Sequence, residues 1–304
     1  MASLVYWSAD GAGSGVRNVQ NTLIRWIRAQ RPAALVVNGG DVYNDGKPNE
    51  FEKFFEQMDR DVTGLCETPG NHDWRTTAAS ASAGTIAAGY EGFWGRFTPP
   101  LSRQPIDTTK RGGARYEHFI DLGGWRLVFM DTGLCKDEPW PAGDPGRVAW
   151  LRQAITETPG RAKIVFAHHS RLSRGKHGDV RNVDTLWRTL FDERTGAPLV
   201  AMTLAGHDHN VSVYGPRRRD NPQNGSVAFR DGIHIMVNGA GGRGHDTGFR
   251  GTRPDVFFDD DNFCLTRITL VDERSADVEV LSFGTNDPPT VTTPSVVSTL
   301  QLLL

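Results

Sequence analysis

Side chains able to bind a metal ion recur directly after short apolar runs of this sequence. The first two runs end at Asp10 and at Gly39-Gly40-Asp41. Three later runs lead into Asn71-His72-Asp73, His168-His169 and Gly206-His207-Asp208-His209. Carboxylate, amide and imidazole groups of this kind suit iron, manganese or zinc. The three cysteines of the chain are widely scattered, which argues against a thiolate zinc knuckle or a disulfide framework.

The apolar runs alternate with amphipathic stretches, which predicts strands and helices in alternation. The predicted strands are 4–9, 33–38, 64–68, 116–121, 125–131, 163–167, 199–205, 211–214, 232–238, 263–271 and 276–283, and the predicted helices are 16–30, 49–60, 147–156 and 183–192. Such alternation is typical of an α/β fold whose sheet is partly parallel and partly built from hairpins. Ligands collect at the carboxyl ends of strands in open α/β sheets. We therefore expect the polar strand ends to form one metal centre.

The ordered set Asp10, Gly40-Asp41, Gly70-Asn71-His72-Asp73, His168 and Gly206-His207-Asp208-His209 resembles the calcineurin-like metallophosphoesterase superfamily. The segment 168–178 and the run 239–242 are similar to the purple acid phosphatase branch and its bacterial relatives. The resemblance implies a four-layer α/β/β/α sandwich, with two central mixed sheets and the metal site at the carboxyl ends of the strands. We expect residues 1–284 to form the catalytic domain, and 285–304 to be a tail that is either a linker or an edge strand.

The resemblance also implies a site for two metal ions, with iron paired with iron, zinc or manganese. Asp41 is expected to bridge the two ions. One ion takes Asp10 and His209 as further ligands, and the other takes Asn71, His168 and His207. Most of the superfamily has a histidine where this chain has Ala12. Tyr43 is the expected replacement, and Asn44 or no replacement at all are the alternatives.

The activity implied by the resemblance is phosphoester hydrolysis, and a phosphomonoester is the expected substrate. Metal-activated hydroxide attacks phosphorus in line. His72 protonates the leaving group while Asp73 orients His72. His177, with His169 and Arg171, is expected to bind the phosphoryl oxygens.

Other functions remain open from the sequence. The same fold serves a phosphodiesterase or a nucleotide-processing hydrolase, and loss of the histidine at Ala12 is compatible with a non-catalytic metal-binding domain. The glycines of 11–15 suggest a dinucleotide site, but Val16 stands where the third glycine of that motif belongs.

Composition narrows the set of partners. The formal net charge of −2 gives no general attraction to nucleic acid or to anionic membranes. The apolar runs are far shorter than the roughly 20 residues that span a bilayer. We expect a small phosphorylated substrate and no membrane or nucleic-acid partner, while the oligomeric state stays open. The sequence begins without a leader pattern, which predicts a cytoplasmic protein, or an exported one if a leader has been removed. The basic run 217–219 is expected to be a solvated loop.

Overall fold

The computed structural model of the chain describes residues 2–8, 16–29, 34–41, 65–73, 117–132, 145–242, 244–245, 248–285 and 293–303. Its strands are β1 (Ala2–Trp7), β2 (Ala34–Asn38), β3 (Leu65–Glu67), β4 (His118–Leu122), β5 (Trp125–Phe129), β6 (Ala162–Ala167), β7 (Met202–Ala205), β8 (Val211–Arg217), β9 (Ile233–Asn238), β10 (Phe257–Asp259), β11 (Cys264–Leu270), β12 (Ser275–Ser282) and β13 (Ser295–Leu303). Its α-helices are α1 (Val16–Ala29), α2 (Pro145–Thr156) and α3 (Asp184–Thr189).

The strands form two mixed sheets. In the first sheet the order is β13-β12-β11-β1-β2-β3. Strands β1, β2 and β3 are parallel, whereas β11, β12 and β13 continue the sheet as antiparallel neighbours. In the second sheet the order is β10-β8-β9-β7-β6-β5-β4. There β5, β6, β7 and β9 are parallel, with antiparallel strands at both edges.

The two sheets share one apolar core. Tyr6 and Val37 of the first sheet belong to the same buried cluster as Phe129 and Phe166 of the second. The other face of the second sheet packs against α2 and α3, in a cluster that includes Trp187 of α3. Burying apolar side chains on both faces contributes about 25 cal/mol per Å² removed from water, which explains the nearly continuous apolar sequence of β5 and β6.

This architecture confirms the predicted α/β class with two mixed sheets. The strands predicted at 116–121 and 125–131 pair as a hairpin, because β4 and β5 are antiparallel neighbours across a two-residue turn. The four-layer order and the domain limits stay predictions. Within the tail, Ser295–Leu303 forms the edge strand β13 beside β12.

Two local predictions are wrong. The helix expected over 183–192 ends at Thr189. Beyond it Phe191 makes an isolated bridge to Pro198, and the Asp192 carboxylate accepts two backbone N–H bonds of a turn, so the chain reverses direction. Arg217 is not solvated, since its side chain is buried at the end of β8 and pairs with Asp255 at 2.8 Å.

A further predicted segment, the helix at 49–60, lies outside the described residues. Among the helices that are described, none is long and apolar enough to cross a bilayer.

Candidate metal centre

Four described strand ends meet at the edge where the two sheets come together. The chain leaves β2 at Asn38 and reaches Asp41, and it leaves β3 at Glu67 and reaches Asn71. In the second sheet, β6 leads into 168–169 and its neighbour β7 leads into 207–209. Because β2 and β3 are parallel neighbours, as are β6 and β7, the polar segments after them emerge on the same side of each sheet.

Asp41 and His168 contact each other across the two sheets. His168 Nε2 lies 2.9 Å from Asp41 Oδ2, and its Nδ1 lies 2.8 Å from the carbonyl oxygen of Gly39. Burial works against the charge on both groups, but the mutual attraction outweighs it. The pKa of Asp41 is therefore lowered and the pKa of His168 is raised.

Three imidazoles cluster beside this contact. The rings of His168 and His207 have centroids 5.2 Å apart, and His169 lies 4.8 Å from the first and 4.3 Å from the second. One nitrogen of each ring lies within 4.8 Å of the others, and all three residues are buried. Imidazole nitrogens grouped in this way are suited to hold a transition-metal ion.

Two residues of the cluster adopt a strained backbone. In the described part of the chain, Asp41 with φ 59° and His207 with φ 71° are the non-glycine residues with positive φ. Aspartate and histidine tolerate this left-handed region better than most residues, at a cost of about 1–3 kcal/mol each. Gly70 accommodates the turn of Asp41, because a Cβ at Gly70 would lie 2.1 Å from Asp41 Oδ1.

The donor atoms at this edge fit a metal ion. Asn71 Oδ1 and His169 Nε2 are buried without a hydrogen-bond partner among the described residues. Leaving buried polar atoms unsatisfied costs about 1–3 kcal/mol, so such atoms call for an explanation. Together with Asp41, they give a mixed oxygen and nitrogen set that Zn, Fe or Mn ions accept.

His72 and Asp73 come directly after Asn71 in the sequence. The backbone N–H of His72 donates to Asp41 Oδ1 at 2.8 Å. Asp73 Oδ2 accepts the backbone N–H groups of Asp41, at 3.0 Å, and of Gly70, at 2.6 Å. Burial, and then the negative charge of Asp41, raise the pKa of Asp73 to about 8. Asp73 thus ties the β2 and β3 ends together; its predicted role toward the His72 ring stays a prediction.

His177 reaches the cluster from a loop that Asp208 holds. The ring of His177 is 4.3 Å from that of His207, and its residue is exposed to solvent. Asp208 Oδ1 accepts the backbone N–H of His177 at 2.8 Å, and Asp208 Oδ2 accepts the hydroxyl of Ser173. A Cβ at Gly175 would lie 2.1 Å from Asp208 Cγ, so the loop needs glycine there. We call this arrangement the Asp208 clamp.

The sequence analysis assigned no function to Asp208 or Ser173. The position of Asp208 between two histidines could have drawn attention to it, but the identity of its partners could not be read from the chain.

Thr132 is a second residue that the sequence analysis missed. Its Oγ1 accepts the backbone N–H groups of His168 at 3.0 Å and of His169 at 2.9 Å. The preceding Asp131 is fixed by buried Arg147, which donates to its carbonyl oxygen at 3.0 Å and also pairs with Glu117 at 3.2 Å. A buried ion-pair network therefore orients the segment that carries the two histidines.

The remaining predicted residues fall into two groups. Asp10, Tyr43 and Asn44 lie outside the described residues. His209 is buried next to the Asp208 clamp. Arg171 Nε donates to Asp184 Oδ1 at 2.9 Å, so that this contact directs the guanidinium toward α3.

Comparisons with known proteins agree with this geometry. The family described as calcineurin-like phosphoesterase matches residues 13–211. The chain is 29% identical over 191 residues to the glycerophosphodiester phosphodiesterase GpdQ of Enterobacter lignolyticus, covering 60% of this chain and 58% of that protein. It is 24% identical over 196 residues to the 3',5'-cyclic adenosine monophosphate phosphodiesterase CpdA of Pseudomonas aeruginosa, covering 63% and 60%. The alignments therefore span less than two thirds of these curated relatives.

Solved structures show the same fold at low sequence identity. Purple acid phosphatase PPD1 of yellow lupin superposes with a TM-score of 0.65 and 15% identity, over 99% of this chain and 53% of that one. GAP50, the anchor in the inner membrane complex of Plasmodium, gives 0.63 and 16%, over 100% and 90%. The match over 199 residues of sequence, with these folds and this strand-end cluster, confirms the resemblance: the chain belongs to the calcineurin-like phosphoesterase family.

Proposed function

We propose that the protein is a metal-dependent phosphoester hydrolase. The observation that carries the proposal is the contact of His168 Nε2 with Asp41 Oδ2 across the two sheets. Beside it lie His207 and Asn71 Oδ1, which has no hydrogen-bond partner within the described ranges. Membership of the calcineurin-like phosphoesterase family supports a phosphoester as the substrate class.

The chain offers ligands for two ions in this proposal. Asp41 is the bridging ligand, Asn71, His168 and His207 hold one ion, and Asp10 and His209 hold the other with Tyr43 in place of the missing histidine. When bound, such ions lower the pKa of a coordinated water and stabilise charge on phosphoryl oxygens. Iron with iron, zinc or manganese remains the proposed pairing. A Tyr43→Phe variant that lost the visible charge-transfer band of an iron form would support Tyr43 as a ligand.

The other residues bind and protonate the substrate. His177 is exposed at the rim of the cluster, where its ring can donate to a phosphoryl oxygen, and the Asp208 clamp holds its backbone. His72 lies next to the bridging carboxylate, and we assign it the proton that the departing alkoxide takes up. Asp73 positions His72, and His169 and Arg171 remain candidates for contact with the phosphoryl group.

Two substrate types are compatible with this site. The sequence analysis favours a phosphomonoester, whereas both curated relatives described above are phosphodiesterases by name. The diester is therefore the second candidate, and a small phosphorylated molecule is the expected substrate in either case.

The proposal is tested with p-nitrophenyl phosphate and bis(p-nitrophenyl) phosphate. Metal-stripped protein is reloaded with Mn, Zn or Fe, and kcat/KM is measured for each ester. We expect hydrolysis only after reloading, and the better ester identifies the substrate type. Turnover that never exceeds that of the metal-stripped protein would instead favour a non-catalytic metal-binding domain.

The role of His72 is tested by varying the leaving group. A poor leaving group needs a proton more than nitrophenol does. We therefore expect His72→Ala to reduce kcat more for an alkyl phosphate than for the nitrophenyl ester. An equal reduction for both esters would argue against His72 as the acid.

A further inference from the structure

His169 is buried in the middle of the histidine cluster. Only 3% of the residue is exposed, and its ring lies against those of both His168 and His207. One ligand nitrogen of each of the three rings lies within 4.8 Å of the other two. Three nitrogens this close to one another lie within reach of a single ion, since a zinc–imidazole bond is about 2.0–2.1 Å long.

Hydrogen bonding leaves one nitrogen of His169 without a partner. The backbone N–H of His169 donates to Thr132 Oγ1, and its Nδ1 lies 3.4 Å from the same oxygen. His169 Nε2 is buried and has no hydrogen-bond partner among the residues that the structure describes. A ring nitrogen whose opposite nitrogen faces a fixed oxygen is the usual arrangement of a metal-binding histidine.

A buried histidine elsewhere in the same sheet gives the contrast. His234 of β9 stacks on Phe229 at 5.4 Å between ring centroids, and its Nδ1 lies 3.4 Å from the carbonyl oxygen of Tyr214. Neither of its nitrogens is a buried atom without a partner. Both histidines are buried, and what distinguishes His169 from His234 is its position at a strand end, against the rings of two further histidines.

We propose that His169 is an additional protein ligand of the metal ion held by His168 and His207, beyond the ligands that the family resemblance implies. The inference rests on the proposed function, since it presumes that the cluster holds a metal. As a metal ligand, His169 would not bind the phosphoryl group, which is the role for which it was a candidate under the proposed function. The ion on this side then has three imidazoles with Asp41 and Asn71, a nitrogen-rich set that favours zinc or iron over magnesium or calcium.

The test is zinc binding by the full-length chain after its metals have been removed. Titration of wild type, His169→Ala and the matched control His234→Ala measures the affinity of the tighter zinc ion. Removing groups that merely support a metal ligand costs about 10–100-fold in affinity. We therefore expect His169→Ala to weaken zinc binding by at least about tenfold, and His234→Ala to leave it unchanged.

A second measurement separates ligation from packing. Zinc X-ray absorption of the loaded proteins counts the imidazoles around the ion, and we expect one fewer in His169→Ala than in the His234→Ala control. Circular dichroism of the metal-free variants shows whether each is folded. His169→Asn serves as the polar replacement should His169→Ala fail to fold.

Each other outcome overturns the inference in a recognisable way. Unchanged zinc affinity and imidazole count, with weaker inhibition by inorganic phosphate, would make His169 a substrate contact and leave the proposed function intact. If zinc affinity, imidazole count and phosphate inhibition were all unchanged, His169 would be a packing residue. Wild-type protein that binds no zinc, iron or manganese and hydrolyses neither nitrophenyl ester would refute both the inference and the proposed function.

Discussion

The bodies of the strands differ from the segments at their carboxyl ends in backbone strain and in the polarity of the buried side chains. Strands β5 and β6 are buried along their whole length and pair in unbroken parallel register. A few residues further along the chain, Asp41 and His207 hold left-handed backbone conformations, and the imidazoles of His169 and His207 pack against each other with their ring centroids 4.3 Å apart. The difference teaches that apolar burial in the bodies stabilises strained and unsatisfied groups at the ends.

The same contrast appears between two buried histidines. Burial lowers the pKa of both, to about 3 for His169, where the positive charge of His168 adds to the effect, and to about 4 for His234. Within the strand body, the His234 ring contacts Phe229 and its Nδ1 lies 3.4 Å from the carbonyl oxygen of Tyr214. At the strand end, His169 Nε2 has no hydrogen-bond partner among the residues that the structure describes. Changes at the ends should therefore alter function, and changes in the bodies should alter stability.

The largest effect is expected from Asp41→Asn. Asparagine tolerates the left-handed backbone, so this variant removes the charge and leaves the local fold. Since even supporting residues cost about 10–100-fold, loss of the carboxylate proposed to bridge the two ions should weaken metal affinity by more than about a hundredfold. Metal content after dialysis and kcat measure it, with Asp277→Asn on β12 as the matched control. Unchanged metal content in Asp41→Asn would contradict the proposal that Asp41 is a metal ligand.

Asp208→Ala should have the next largest effect. It removes the acceptor for both the His177 N–H and the Ser173 hydroxyl, so the loop loses the Asp208 clamp. We expect kcat/KM to fall about 10–100-fold and phosphate inhibition to weaken, because mispositioned contacts are costly in catalysis. Asp208→Asn keeps an acceptor for His177 and should lose less. If both variants lose activity equally, the charge of Asp208 matters more than its hydrogen bonds.

Gly175→Ala should cause part of the same loss of activity, because Gly175 packs against the Asp208 carboxylate. The new Cβ would lie within 2.4 Å of three Asp208 atoms, so either the loop or the carboxylate must move. We expect kcat/KM to fall roughly tenfold, with destabilisation of about 1–3 kcal/mol. Gly244→Ala is the control, because no atom of the described residues beyond its chain neighbours lies within 4 Å of its Cβ position. Wild-type kinetics in Gly175→Ala would show that the clamp does not limit catalysis.

Leu302→Ala tests a strand body far along the first sheet. Leu302 is the fully buried residue of the edge strand β13 and belongs to the shared core. The substitution should lower the free energy of unfolding by about 2–5 kcal/mol, measured by urea titration. Metal affinity of the folded variant should match wild type. Weaker metal affinity in folded Leu302→Ala would mean that the strand bodies and the strand ends are energetically coupled.

His234→Phe should have the smallest effect, confined to low pH. Because the folded pKa of about 4 lies below the ordinary 6.5, the unfolded chain binds more protons in that window. Stability contributed by neutral His234 is therefore complete above pH 6.5 and is lost as the pH falls toward 4, by up to about 3 kcal/mol. Phenylalanine keeps the stacking on Phe229, so the loss of stability between pH 7 and 4.5 should be smaller in His234→Phe. Equal losses of unfolding free energy in wild type and His234→Phe, measured by urea titration at the two pH values, would contradict this prediction.

Much of the fold could be read from the chain, because strands and helices depend on local patterns. The run 163–167 and the observed strand Ala162–Ala167 differ by one residue, and the hairpin of β4 and β5 follows from its two-residue turn. The helix predicted to reach residue 192 failed, since the bridge of Phe191 to Pro198 and the side-chain bonds of Asp192 are competing contacts that periodicity does not contain.

The sequence by itself determined which residue types stand after each strand, and hence the family and the kind of chemistry. Only the tertiary structure decided how those residues meet. His168 lies against Gly39 across 129 positions of the chain, and Asp208 binds the N–H of His177 across 31. That His169 Nε2 finds no hydrogen-bond partner in the described part of the chain is likewise a property of the assembled site. The position of a residue along the chain specifies which side chain follows a strand. Its hydrogen-bond partners and its burial depend on the residues that the other strands place at the same edge.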